Sequence, residues 1–455
     1  MLNSHRASDF VQLPKRIEFR EPYFQEHSTR TLHQQKGAHH MVNILHNDSL
    51  SLSDKLLQMQ EDTRYDVADP QVSYGSASEE ESLPDPSLFA DIHARPNPPT
   101  VPKVFLSNQC SFNCAYCGCR ASRENTKRYC NTPRELAEIA LTQARQGGHG
   151  IFLTSAIYRN ANYTQEIIIE TLRVLRKELF YDGYIHAKVM PGTDPLLIAK
   201  TGRFANRLSV NIEVAQNAGY EMVAKQKNKE NILIPMQQIS NLVRDARQYR
   251  SRSGPLLAKS QTTQLMAGST GESDRTILRL TKALYHKYGL SRVYYTAFHY
   301  LDRAKGYDDL PFTQVPVWRV KRLYQADRLL QLYDFSPDDI APEQTPDLNE
   351  RLDPKMSWAL RNLHLFPIEV NTADYEQLLR IPGIGLTYAQ KIIRARRYGK
   401  VTHQTLRKIG VSLKKSNYFI TCGGKYEGGG LLSHPELLTQ LFSEAPDNEI
   451  LPFPK

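Results

Sequence analysis

The chain has 455 residues, a formal net charge of +10 and a mean hydropathy of −0.51, which is long enough for one large domain and a smaller module. No apolar run approaches the roughly 20 residues that a membrane-spanning helix needs, so a soluble, cytoplasmic protein without a membrane partner is expected. Five of the six cysteines crowd between positions 110 and 130, and the start lacks a secretory h-region, a pattern of a reducing compartment and not of a disulfide scaffold.

Residues 1–40 are polar, hold five of the fourteen histidines and lack an apolar period. They read as a disordered leader. Met41 is an alternative start, since a helical pattern over 51–60 follows soon after it. Residues 41–100 are expected to be a helical segment and then a linker, because 75–99 is rich in Ser, Glu and Pro and includes Glu79-Glu80-Glu81.

From 101 to 335 short apolar strands alternate with helical segments, the sequence form of β/α units and a parallel sheet. Strands are predicted at 101–107, 150–155, 184–190, 207–213, 261–267 and 292–298. Helix starts are marked: Thr132-Pro133-Arg134-Glu135 combines an N-cap, a proline at the first helical position and a capping-box glutamate, with Gly147-Gly148 as the stop. Asp194-Pro195 repeats the device. The prediction is an α/β fold, a partial (β/α)6 TIM-like barrel whose active site lies at the C-terminal ends of its strands.

The loop after the first strand reads Cys110-Ser111-Phe112-Asn113-Cys114-Ala115-Tyr116-Cys117. Three thiolates on one loop leave one iron of a four-iron, four-sulfur cluster open to a reactant. Structural zinc wants four ligands, usually in two spaced pairs, and only Cys119 and Cys130 stand near enough to add one. Neither these two nor the isolated Cys422 has a role in the motif.

A three-cysteine loop after a first strand, followed by β/α repeats, resembles the radical S-adenosylmethionine enzymes. The resemblance implies a [4Fe-4S] cluster on Cys110, Cys114 and Cys117, with S-adenosylmethionine on the open iron. It further implies a one-electron donor such as flavodoxin or ferredoxin, and a 5′-deoxyadenosyl radical that takes hydrogen from substrate. Tyr116 holds the aromatic position of the motif, near the adenine. The second strand ends in Leu153-Thr154-Ser155 and lacks the common Gly-Gly-Glu, which leaves the Thr154 and Ser155 hydroxyls and carbonyls for the amino group.

Strand alternation puts Ser209, Asn211 and Glu213 on one face, His186, Lys188 and Met190 on another strand's face, and Thr262, Gln264 and Met266 on a third. Lys188, Asn211, Glu213 and Gln264 are therefore candidate cofactor contacts, Asn211 and Glu213 for ribose or carboxylate oxygens. A buried Lys188–Glu213 ion pair serving only structure is the competing reading. No catalytic residue acting on a substrate is identified.

Residues 336–365 read as a connector, 366–425 as a basic module and 426–455 as a tail. The module carries eleven Lys and Arg against Glu369, Asp374 and Glu376, a net of +8, the charge footprint of a nucleic-acid site. Within it Leu378 to Ile392 includes Ile381-Pro382-Gly383-Ile384-Gly385, the form of a helix-hairpin-helix motif in a small all-α domain. Pro382 ends the first helix, and Gly383 and Gly385 allow a tight turn whose amides suit a phosphate. Thr387, Lys391, Arg394 and Arg397 follow, and a degenerate second hairpin at 406–411 precedes Lys414 and Lys415. These residues are the expected DNA-backbone contacts.

Barrel and hairpin on one chain resemble the family of radical S-adenosylmethionine proteins assigned to DNA modification or repair, often described as linked to a uracil-DNA glycosylase-like partner. Tyr184-Ile185-His186, Pro191-Gly192, Tyr324-Gln325-Ala326-Asp327, Asp353-Pro354-Lys355 and Phe366-Pro367 agree with it, as does Lys55-Leu56 to Tyr65-Asp66. Val67-Ala68 departs where Ser and Cys are expected. The residues leave two other readings open: radical modification of RNA or tRNA, and a non-catalytic iron-sulfur scaffold that recruits a repair partner to DNA.

Overall fold

The structure is a computed structural model and describes residues 55, 56, 58, 59, 101–124, 126–146, 148–248, 258–298 and 315–443. The expected leader, Met41, the 75–99 linker, Val67-Ala68 and Gly147 lie outside them. Residues 48–455 belong to one compact unit.

Six parallel strands, β1 (Lys103–Phe105), β2 (Ile151–Thr154), β3 (Ile185–Lys188), β4 (Arg207–Ser209), β5 (Ser260–Ala267) and β6 (Arg292–Ala297), form a sheet in that order. Sheet order equals chain order, so the units wind one way into a partial barrel, as the repeat predicted. Helices α1 (Pro133–Arg145), α2 (Ala161–Arg173), α3 (Pro195–Phe204), α4 (Ala218–Val223), α5 (Lys229–Gln248), α6 (Asp274–Tyr288) and α7 (Val317–Leu332) accompany it. Thr132 and Glu135 close the expected capping box, and Asp194 accepts from the Leu196 amide. Outward strand residues such as Val104, Leu153, Ala187, Leu208, Leu265 and Val293 are fully buried, so each strand spends its apolar face on packing and keeps its polar face for the interior.

The fourth strand is shorter than its sequence predicts, and the cause is a single hydroxyl. Thr263 Oγ1 donates to the Val210 carbonyl at 2.8 Å and accepts from the Ile212 amide at 2.8 Å, replacing ladder bonds by side-chain ones. Backbone pairing resumes only as a bridge between Glu213 and Leu265. Glu213 then sits at φ 65°, a left-handed conformation that bulky residues adopt only where surrounding contacts hold it.

The connector is itself structured. Helices α8 (Pro337–Ile340) and α9 (Pro354–Arg361) pack on the barrel, and buried Asp274 ties it down by accepting from Arg319 Nε at 2.7 Å and the Leu348 amide at 2.9 Å. The basic module follows as β7 (Ile368–Glu369), α10 (Tyr375–Arg380), α11 (Leu386–Ala395), α12 (His403–Lys408), α13 (Leu413–Ser416), β8 (Ile420–Cys422) and β9 (Lys425–Tyr426). Its three short strands form a sheet, so the module is not purely helical as expected. Two-residue strands carry no readable period; Glu369 builds this sheet by accepting from the Gly423 and Gly424 amides at 2.9 and 2.8 Å.

Those bonds, with two from Asn371, hold the Glu369 carboxyl near 2 although burial alone would raise it. Because the folded value lies below the ordinary 4.5, the stabilisation is complete above that pH and is lost as pH falls toward 2. Glu369→Gln is expected to flatten the acid limb of the module's unfolding curve between those values, measured by circular dichroism; an unchanged limb would mean the carboxylate does not brace the turn.

The expected tail also differs, since helix α14 (Pro435–Phe442) buries Leu438 and sets Phe442 against Tyr418 and Phe419. An aromatic row joins module to barrel: Phe335 to Trp358 at 5.3 Å, Trp358 to Phe366 at 6.2 Å and Phe366 to Phe419 at 5.0 Å. Arg380 covers it, 3.9 Å from the Phe335 centroid. Aromatic contacts of this kind contribute about 0.5–1.5 kcal/mol each beyond their burial, which favours a docked module over a tethered one.

Candidate active site and nucleic-acid interface

The cysteine loop leaves β1 and turns across the C-terminal end of the sheet. Arg128 fixes its shape by donating to the carbonyls of Asn108 (2.6 Å), Cys119 (2.9 Å), Arg120 (2.6 Å) and Arg123 (3.3 Å). A guanidinium with several donors in one plane suits convergent carbonyls better than an ammonium does. Ser111 anchors the loop's other side through its amide and hydroxyl to the Ile157 carbonyl.

Cys110, Cys114 and Cys117 are free thiols and line one cavity of about 150 Å³, together with Tyr116, Thr154, Ser155, Lys188, Asn211, Glu213 and Gln264. Every cofactor contact expected from the sequence thus faces the same space. Burial raises the thiols of Cys110 and Cys114, the latter to about 12, and negative charge on Cys117 raises both further. Cys117 itself is lowered to about 7, chiefly because Cys119 hydrogen-bonds to its sulfur, against the opposing effect of burial. Cys119 therefore has a place, as a donor to the Cys117 sulfur.

Three neighbouring sulfurs facing an enclosed space, with a buried cation beside them, fit an iron-sulfur cluster. Among the described residues no three His, Cys, Asp or Glu side chains converge on the position of a single ion, and a cluster instead takes one thiolate on each of several irons.

The cation is Lys227, which the sequence analysis missed. Its Nζ donates to Glu213 Oε1 at 2.6 Å and to the Tyr116 hydroxyl at 2.9 Å. Glu213 thus pairs with Lys227 and not with Lys188, which overturns the competing reading of a Lys188–Glu213 ion pair. Burial disfavours the Lys227 ammonium, but Glu213 and the cysteine sulfurs outweigh it and hold the lysine well above its ordinary range. Tyr116 is pushed up by burial and by the Glu213 charge. In sequence Lys227 is one of several lysines after α4, and only the loop's return to the cavity distinguishes it. The cavity floor is a chain of amides: Asn211 Nδ2 donates to Gln264 Oε1 at 3.0 Å, and Gln264 Nε2 reaches Thr296 Oγ1 at 3.4 Å.

In the basic module α10 ends at Arg380, two residues before the Pro382 stop. Gly383 takes φ +83°, and a Cβ there would lie 3.3 Å from the Ser416 amide nitrogen. The second hairpin forms too, with Gly410 at φ +89° against Tyr388. Of the expected DNA contacts, Gly383, Thr387, Lys391, Arg394, Arg397 and Lys414 are exposed. Gly385 is half-buried beside the Tyr333 hydroxyl. Two lysines are engaged within the fold: Lys391 donates to the Ile409 carbonyl at 3.1 Å, bracing one hairpin on the other, and Lys415 pairs with Asp353 at 3.3 Å. Lys355 reaches the first hairpin turn, donating to the Ile384 carbonyl at 2.6 Å, and burial lowers it to about 7.

Residues 367–408 match the family described as "Helix-hairpin-helix motif". The [FeFe] hydrogenase maturase subunit HydE of Thermotoga maritima is 35% identical over 74 residues, 16% of this chain and 21% of that protein. Among solved structures, the FeFe-hydrogenase maturase HydG of Carboxydothermus hydrogenoformans aligns with a TM-score of 0.40 at 14% identity, over 51% of this chain and 52% of that one. Methylornithine synthase PylB aligns with a TM-score of 0.41 at 13% identity, over 62% of this chain and 74% of that one. The alignment thus spans about a fifth of the curated relative and about half of the HydG chain.

Proposed function

We propose that this chain is a radical S-adenosylmethionine enzyme that modifies or repairs a nucleotide in DNA. One observation carries the reading: three cysteines of a single loop face a cavity at the strand ends of a barrel that Thr154, Ser155, Lys188, Asn211, Glu213 and Gln264 also line, in the same compact unit as a basic helix-hairpin-helix module.

Cys110, Cys114 and Cys117 would hold a [4Fe-4S] cluster, with S-adenosylmethionine beside it. When bound, these groups supply a 5′-deoxyadenosyl radical that removes a hydrogen atom from substrate. The protein's part is enclosure and orientation. Thr154 and Ser155 offer hydroxyls at the end of β2, and Asn211 and Gln264 offer amides from β4 and β5. Lys227 keeps Glu213 and Tyr116 in one arrangement against the cysteine loop. The hairpin amides and Arg394, Arg397 and Lys414 would grip the DNA backbone, and a base extruded from the stack would reach the cavity.

Reduced, reconstituted protein given S-adenosylmethionine with duplex DNA, single-stranded DNA or tRNA is the direct test, read by 5′-deoxyadenosine release and nucleoside mass. A mass change confined to tRNA would replace DNA by RNA as substrate, and tight DNA binding without any cleavage would favour the scaffold reading. For the module, log affinity for duplex DNA is expected to fall linearly with log salt, and Lys414→Gln with Arg397→Gln to reduce the slope by about 2. An unchanged slope would remove both side chains from the interface.

A further inference from the structure

A second cavity of about 70 Å³ lies in the barrel interior on the N-terminal side of the first. Lys103, Phe152, His186 and Arg207 stand side by side across β1 to β4. His186 stacks on Phe152 with centroids 4.1 Å apart, and Lys103 Nζ is 5.2 Å from the same ring. His186 Nε2 lies 2.8 Å from Ser209 Oγ. Arg207 gives its Nε to Ser260 Oγ at 3.0 Å, and among the described residues no carboxylate lines the cavity. Thr262 is 1% exposed and lines it too, and its hydroxyl has no hydrogen-bond partner.

Arg207 is half-buried at this space, where a guanidinium is well matched by an anion, and a buried hydroxyl without a partner carries a cost. We propose that this cavity is a binding subsite for a small carboxylate or phosphate-type oxyanion, held by Arg207 with Thr262. The volume agrees: a water needs roughly 10–15 Å³ of such space, so the cavity has room for a small oxyanion and none for a nucleotide. Asn211 and Gln264 line both cavities, and the bond between them separates the two. The bound anion would therefore lie beneath the cysteine-lined cavity. The proposal is independent of the radical chemistry, and its test requires no turnover.

The test is thermal unfolding of the full chain as isolated, under anaerobic conditions, titrated with sodium acetate and with sodium phosphate against sodium chloride at matched ionic strength. A saturable rise in midpoint with at least one of the two, following mass action, is the expected result, and the stronger of them names the class. Arg207→Gln should remove the rise, Arg207→Lys should retain part of it, and Lys414→Gln in the hairpin should leave it intact. No saturable rise beyond chloride, or a full rise in Arg207→Gln, overturns the proposal. Should Arg207→Gln fail to fold, Thr262→Val decides: a several-fold weaker apparent affinity supports the subsite, and an unchanged one overturns it.

Discussion

Cys114→Ala is expected to reduce S-adenosylmethionine cleavage to background and to lower the iron and sulfide retained on reconstitution, whereas Cys119→Ala keeps both. Cys114 is the most buried of the three thiols, 4% exposed, whereas Cys110 and Cys117 are half-buried. With two thiolates left on the loop, two irons lack a protein ligand and the selective opening of one iron disappears. Cys119 hydrogen-bonds to the Cys117 sulfur and lies outside the three-cysteine spacing, so its loss should alter the electronic spectrum of the holoprotein more than its iron content. Anaerobic reconstitution with iron and sulfide assays, followed by product analysis, measures both. Wild-type cleavage in Cys114→Ala would sink the cofactor assignment, and iron loss in Cys119→Ala equal to that in Cys114→Ala would make Cys119 a ligand.

Lys227→Ala is expected to destabilise the barrel by about 3–5 kcal/mol, the cost of leaving a buried charge without its partner. Glu213 is 4% exposed, its backbone is left-handed, and Lys227 is its ion-pair partner at 2.6 Å. The paired substitution Lys227→Met with Glu213→Gln should recover most of that loss, because a neutral pair of similar volume carries no unpaired charge. Denaturant titration of all three variants, with the module's transition followed separately, measures the difference. A single variant no less stable than the double would mean that the pair is not coupled. A loss confined to the module would mean that the barrel does not depend on it.

Much of this architecture was readable from local pattern. The capping boxes, the period-2 strands and the repeated β/α spacing predict six units, because each depends on residues a few positions apart. The cysteine loop and the Pro382-Gly383-Ile384-Gly385 turn were equally legible, since thiol spacing and positive φ are local demands. Strand alternation also placed Lys188, Asn211, Glu213 and Gln264 on the interior side, where they line the cavity.

The errors share one cause, contact between residues far apart in sequence. Glu213 pairs with Lys227 across a helix and a loop, and Thr263 shortens β4 from the neighbouring strand. Glu369 reaches Gly423 and Gly424, 54 and 55 positions away, to build a sheet with no readable strands. The expected connector and tail became packed helices because the aromatic row from Phe335 to Phe419 gives them a shared core. Lys415, alike in sequence to any phosphate-binding lysine, is half-buried in a pair with Asp353, and Lys391, though exposed, gives a hydrogen bond to the Ile409 carbonyl.

The sequence by itself thus determined the repeat, the thiolate loop and the basic hairpin, because each is encoded within a turn or two of chain. Long-range packing settles which charge answers which, which basic side chains face solvent, and that a second space lies under the first. Those outcomes follow from burial, and burial is fixed by what the fold brings together.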